Sequence, residues 1–187
     1  GEPEHNGAGG LARLRELLRD GGGLMANLVV PHAPAAPGAA NAAQPSPARI
    51  VADGPRSAGA REEYELLVEA IYEGYLLHYA SPRVVRVPEA DLGLLAGDRL
   101  YAIGLARLVE LGDTFAVAEL ADTITLSALA QGAGRSELAQ DVWLAGARAV
   151  GWGSSASHQR AKELVFADDP DAIEAMRTSA GAVPAPR

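Results

Sequence analysis

The side chains here that could do chemistry are carboxylates, four histidines, a few serines and one lysine, and their spacing limits what they can do. His5, His32, His78 and His158 are scattered along the 187 residues with no ligand spacing, whereas a metal centre needs donors that converge. His78 falls on an inner helical stripe and reads as a core histidine. Gly153-Ser154-Ser155-Ala156-Ser157 has Ser157 where a hydrolase elbow has its last glycine, so these serines read as helix caps. Gly132-Ala133-Gly134 follows no strand, which a dinucleotide loop requires. The chain has no Cys, which excludes thiol nucleophiles, disulfides and thiolate metal sites. Asp168-Asp169-Pro170-Asp171 remains. By residue type it reads as a helix start, with Asp169 as cap, Pro170 at the first position, and Asp171 and Glu174 facing the positive dipole end.

Charge narrows the partners. Asp and Glu number 24 against 16 Lys and Arg, a formal charge of −8, and Lys162 is the only lysine. Residues 1–60 carry five acids and five Arg, so the whole excess lies in 61–187. An acidic folded part argues against nucleic acid and anionic membrane as partners. No apolar run approaches the roughly 20 residues that span a bilayer. The one signal-like run, Leu24 to Val30, is short and lies inside the chain. The expected location is the cytoplasm.

The elements that position these groups are helical. Tyr64, Leu67, Val68, Ile71, Tyr75 and His78 recur at helical spacing over Arg61 to Tyr79, and Ser81-Pro82 ends that run. Arg83 to Val87 reads as an extended connector, and Pro88-Glu89 opens a helix that reaches Leu111. This helix carries apolar residues on more than one face, the pattern of a helix buried between others. Helices follow over Phe115 to Gln131, with Phe115, Ala118, Leu120, Ile124, Leu126 and Leu129 inside. Others span Ser136 to Val150, His158 to Phe166 and Pro170 to Thr178. Ser136 and Glu137 read as the cap of the helix that runs to Val150, and Trp143 and Trp152 as packing anchors. Upstream, Leu11, Leu14, Leu17 and Leu18 mark an amphipathic helix over 11–19 that is too short to stand alone. The 21 Gly and 12 Pro concentrate outside 60–150 and predict a long disordered linker, in which Leu28-Val29-Val30 could tuck against an apolar surface. The expectation is an all-α helical bundle over 61–178. It is preceded by a largely disordered tail (1–60) holding the 11–19 helix, and followed by a flexible tail over 179–187.

Gly97-Asp98-Arg99-Leu100-Tyr101, followed by Leu105, Leu108 and Leu111-Gly112-Asp113, resembles the Gly-Asp helix of the trans-isoprenyl (polyprenyl) diphosphate synthases, an all-helical family. Leu120-Ala121-Asp122 resembles the next helix of that family. Val68-Glu69-Ala70-Ile71 through Leu76-Leu77-His78 resembles the helix that carries its first aspartate-rich motif. Catalytic members continue from there with aspartates that hold Mg²⁺ on the allylic diphosphate. This chain has Tyr79, Ala80 and Arg83 at those places, and a phenol, a methyl and a guanidinium cannot ligate a hard cation. Leu129-Ala130-Gln131 replaces a Glu-Gly-Glu. Asp168, Asp169 and Asp171 are similar to the second aspartate-rich motif, with Ala172 where a carboxylate belongs.

A kept scaffold with lost ligands resembles the small non-catalytic subunit of heteromeric hexaprenyl and heptaprenyl diphosphate synthases. The resemblance implies a bundle like part of the isoprenoid synthase fold, and a regulatory or assembly subunit that is no enzyme on its own and binds no cofactor. It pairs with a catalytic subunit that holds the Mg²⁺, in the synthesis of quinone side chains. It further implies Leu100, Tyr101, Leu105, Leu108 and Val109 as a candidate partner interface, and Tyr75 as the position that limits chain length or fills the cavity in relatives. Two alternatives stand beside it. One is a helical adaptor on the same scaffold that docks through the 11–19 helix. The other is a divergent synthase using Asp168, Asp169 and Asp171.

Overall fold

The computed structural model describes residues 9–31 and 46–181. The disorder expected of the remaining linker and tail residues concerns positions outside the described ones, as do His5 and His32. Among the described residues the protein is all-α. The helices are α1 (Gly9–Asp20), α2 (Gly23–Leu28), α3 (Pro47–Asp53), α4 (Arg61–Tyr79), α5 (Ala90–Glu110), α6 (Thr114–Gly132), α7 (Ser136–Trp152), α8 (Ala156–Phe166) and α9 (Ala172–Ser179). Residues 46–60, expected in the linker, form α3 and a 3-10 turn, Pro55–Ala60. Pro47 and Pro55 open these elements rather than break them, because a first-turn residue needs no N–H. Where the sequence predicts one domain over 61–178, the chain forms two compact units. One joins the described part of Gly1–Arg49 to Glu62–Glu110, and the other joins Ile50–Arg61 to Leu111–Arg187.

In the first unit α1 docks through the leucine stripe its spacing predicts. Leu14 and Leu18 are buried in one cluster with Leu66, Ala70, Val84, Val85 and Leu100. Each buried leucine contributes roughly 1.5–3 kcal/mol, which offsets the weakness of an isolated helix of this length. Arg13 pairs with Glu62 at 2.6 Å, and Arg15 donates to the Arg83 carbonyl. Leu28-Val29-Val30 does tuck in. Val29 bridges Val85, the Val30 N–H donates to the Val84 carbonyl, and the Arg86 N–H donates to Leu28. Within the connector over 83–87, expected to be extended, Val85 makes this bridge while Arg83 and Val84 lie in a bend.

In the second unit α7 is the central element. Leu138, Val142, Trp143 and Val150 are buried, and Trp143 is among the largest fully enclosed side chains. Trp152 lies at the surface instead, with the Arg148 guanidinium 4.5 Å from its ring centroid. The inner stripe of α6 is not the expected one. Ala116, Glu119, Leu120, Thr123, Leu126, Ser127 and Ala130 are buried, whereas Ala118 and Leu129 are exposed and Phe115 is half-buried. Asp113 caps α6 by accepting the Ala116 N–H at 3.0 Å. Ser136 does not cap α7; its hydroxyl donates to Gln131.

Candidate functional site

At the end of α4 and just after it stand Tyr79, Ala80 and Arg83, the three positions singled out in the sequence. Tyr79 is the exposed last residue of α4 and Ala80 follows it in the open. Arg83 is committed. Its Nη2 donates to Glu69 at 2.6 Å and its Nε to Glu73 at 3.2 Å, and its guanidinium lies 5.1 Å from the Tyr72 ring centroid. Glu73 is fully buried and accepts the backbone N–H groups of Arg83, Val84 and Val85. Glu69 also accepts the Ser46 hydroxyl. Burial pushes the Glu69 carboxyl above its ordinary value against the opposing charge of Arg83. Burial works to lower the Arg83 guanidinium, yet Glu69 and Glu73 hold it above its usual range. This is a knot that fixes the connector to α4, and its oxygens face protein donors. Tyr75 is buried between the rings of Tyr72 and Tyr79, with centroids 5.8 and 5.4 Å away.

The Gly97-Asp98 helix, α5, is not enclosed on all sides as its composition predicts. Gly93, Ala96, Gly97, Leu100, Gly104 and Leu108 form its buried face, and glycines there bring the two backbones close at Gly74 and Gly97. The surplus apolar residues lie outside: Leu94 is 47 % exposed, Leu95 67 % and Val109 62 %. The five residues of the candidate pairing surface differ in exposure. Leu100 and Leu108 belong to the core, Tyr101 and Leu105 are half-buried, and Val109 alone of the five is open. Inside the unit the His78 ring stacks on Tyr101 at 5.4 Å and 4°, and its Nε2 lies 3.1 Å from the Asp98 carboxylate. Burial pushes the Tyr101 phenol upward.

The carboxylates of Asp168, Asp169 and Asp171 do not converge. Asp168 has a φ of 52° and pairs with Arg135 at 2.9 Å. Asp169 Oδ1 accepts the Asp171 N–H, and α9 begins only at Ala172. The helix start expected at Pro170 is therefore a turn closed by Asp169. Among the described residues no group of three or more His, Asp or Glu could hold a metal ion.

One polar cluster has no counterpart in the sequence reading. Glu119 on α6 is buried, and its carboxylate receives Lys162 Nζ at 3.1 and 3.2 Å and Gln159 Nε2 at 3.3 Å. His158 Nε2 stands 3.3 Å away, and its Nδ1 is 3.2 Å from the Ser179 hydroxyl. Lys162 also reaches Asp122 at 2.7 Å. Ser155 caps α8, as its residue type predicts, by accepting the His158 N–H. The singular lysine was the available signal; its partners lie some 40 residues upstream, beyond the reach of local spacing.

Burial works to raise the Glu119 carboxyl, but His158 and Lys162 overcome this and hold it at about 2 against an ordinary 4.5. A depressed folded value stabilises above the unfolded one and is lost as pH falls through the folded one. After a discount for partial solvent screening, wild type should lose about 1–2 kcal/mol from this group between pH 5 and pH 2. Urea midpoints across that range should therefore converge with those of Glu119→Gln. A gap between the two proteins that stays constant with pH would contradict the assignment.

No family model, curated protein or solved structure matches this chain. Among the described residues, no helix is long and apolar enough to cross a membrane.

Proposed function

We propose that this chain is a non-catalytic pairing subunit of a heteromeric polyprenyl diphosphate synthase, acting in the cytoplasm in the synthesis of isoprenoid side chains. The observation that carries the pairing role is the outward face of α5, where Leu94, Leu95 and Val109 lie open on one helix. Leu95 and Val109 stand about four turns apart on the same side of the helix with Ala102 and Ala106 exposed between them, and an apolar stripe of this kind suits an association surface. Covering Leu95 and Val109 would contribute roughly 1–2 kcal/mol each. The nature of the partner rests on the resemblance of α4 and α5 to the prenyl synthase helices. In keeping with it, Arg83 is tied to Glu69 and Glu73 at the place of a metal ligand. The partner would supply both aspartate motifs, the Mg²⁺ and the diphosphate sites. The adaptor reading loses its docking motif, since α1 buries Leu14 and Leu18 in its own unit.

Co-expression with a catalytic polyprenyl synthase should yield a heteromer that elongates allylic diphosphate, whereas this chain alone should not. The double variant Leu95→Glu, Val109→Glu, at exposed positions, should keep its circular dichroism and lose co-purification at least tenfold. Elongation by the isolated chain, or undiminished pairing of the double variant, would refute the proposal.

A further inference from the structure

Between α6 and α8 the second unit has an open depression of about 510 Å³ whose walls include Asp122, Thr125, Leu126, Gln159, Lys162 and Phe166. Its polar edge has one sign of hydrogen-bonding capacity. An ammonium has three protons and a primary amide two. Lys162 directs Nζ at both oxygens of Glu119 and at Asp122, while Gln159 Nε2 donates to Glu119 and to Ser154. The Thr125 hydroxyl donates to the Ala121 carbonyl. These side-chain donors are committed within the unit. The groups left to meet a ligand are acceptors: the second oxygen of Asp122, the Gln159 carbonyl, the lone pairs of Thr125, and Glu163, which also lines the depression and gives one oxygen to Arg160. Phe166 and Ala167 close the wall at the C-terminal end of α8, where the helix dipole favours positive charge. The apolar part of the wall is Leu126 and Phe166, the latter 70 % exposed and able to offer its ring face to a cation.

We propose that this depression is a binding site for a primary organic ammonium carried on an aliphatic stem. The charged head is held by Asp122, Gln159 and Thr125, and the stem lies along Leu126 and Phe166. Anions are rejected because the lysine they would need is already engaged with carboxylates. The site belongs to the second unit and its proposal does not depend on the pairing role. The same head and stem occur in a free alkylamine and in a lysine side chain of a protein.

The full-length ¹⁵N-labelled protein, titrated with n-hexylammonium at constant pH and ionic strength, should show saturable shifts confined to Thr125, Leu126, Gln159, Phe166 and their neighbours. Hexan-1-ol and hexanoate should leave those signals in place. Phe166→Ala, which removes an exposed ring and leaves the ion network intact, should weaken binding about fivefold. Asp122→Asn should weaken it about tenfold or more. A capped Leu-Lys-Leu peptide tests the protein source, and the lower saturating concentration of the two probes identifies which is held better. Equal shifts with hexanoate, no shifts with either amine probe, or unchanged affinity in Phe166→Ala would overturn the proposal.

Discussion

Replacing Glu73 by alanine should destabilise the first unit by about 3–5 kcal/mol, the largest loss expected from any single carboxylate in the chain. Glu73 is fully buried. Its Oε1 accepts N–H groups from Arg83 and Val84 at 2.6 Å and from Val85 at 3.3 Å, and its Oε2 faces the Arg83 guanidinium. Alanine leaves those donors without their acceptor in a place water does not reach, and each orphan costs about 1–3 kcal/mol. Glu73→Gln keeps an oxygen acceptor and loses the charge, so it should cost less, about 1–3 kcal/mol. Arg83→Met should approach the alanine variant, because it strands two buried carboxylates at once. With two compact units in one chain, a single unfolding curve need not be two-state. Hydrogen exchange at the Val84 and Val85 amides, read alongside urea unfolding, reports on this knot directly. Losses below 0.5 kcal/mol with unchanged exchange would show that the connector is held by something else, such as the Val29–Val85 bridge.

Much of this architecture was legible because apolar periodicity is a local property. The stripe of α4, the leucines of α1 and the helix-free 83–87 connector all follow from residues a few positions apart. The readings that went astray did so for one physical reason: the decisive neighbour is distant. In α5 a count of leucines predicts burial on every side. Yet Gly93, Gly97 and Gly104 face α4 or its connector, and a residue with no side chain leaves no hydrophobic mark. In α6, Glu119 and Thr123 occupy the inner stripe because Lys162 and Gly146 stand opposite them. Pro47 and Pro55 read as breakers until the elements they open are in place. The candidate site divides the same way. That Tyr79, Ala80 and Arg83 are no ligands for a hard cation can be read from residue types alone. That Arg83 is bound by two carboxylates from the preceding helix required the fold.

Gly104→Leu should cost roughly 4 kcal/mol or more, and Gly104→Ala about 1–3 kcal/mol, although alanine is the better helix former by about 1 kcal/mol. A Cβ at Gly104 would lie 2.3 Å from Ile71 Cγ1 and 2.8 Å from the Leu67 carbonyl oxygen. The isoleucine side chain can shift, but the carbonyl belongs to the α4 backbone and cannot. At the other end of the seam, a Cβ at Gly74 would meet the Gly97 carbonyl oxygen at 2.9 Å, and one at Gly97 would meet the His78 ring at 2.6 Å. Relief at any of these positions therefore requires α5 to move away from α4. Gly132 gives the control: a Cβ there meets nothing within 4 Å, so Gly132→Ala should be neutral or stabilise by up to about 1 kcal/mol. Urea unfolding of the three variants separates close approach from helix propensity, since propensity alone would make both alanine variants more stable. The seam also bears on the proposed pairing. Leu95 and Val109 keep their places only while the glycine face of α5 lies against α4. A Gly104→Ala protein that still folds should accordingly bind a partner on that face more weakly, with no contact residue changed.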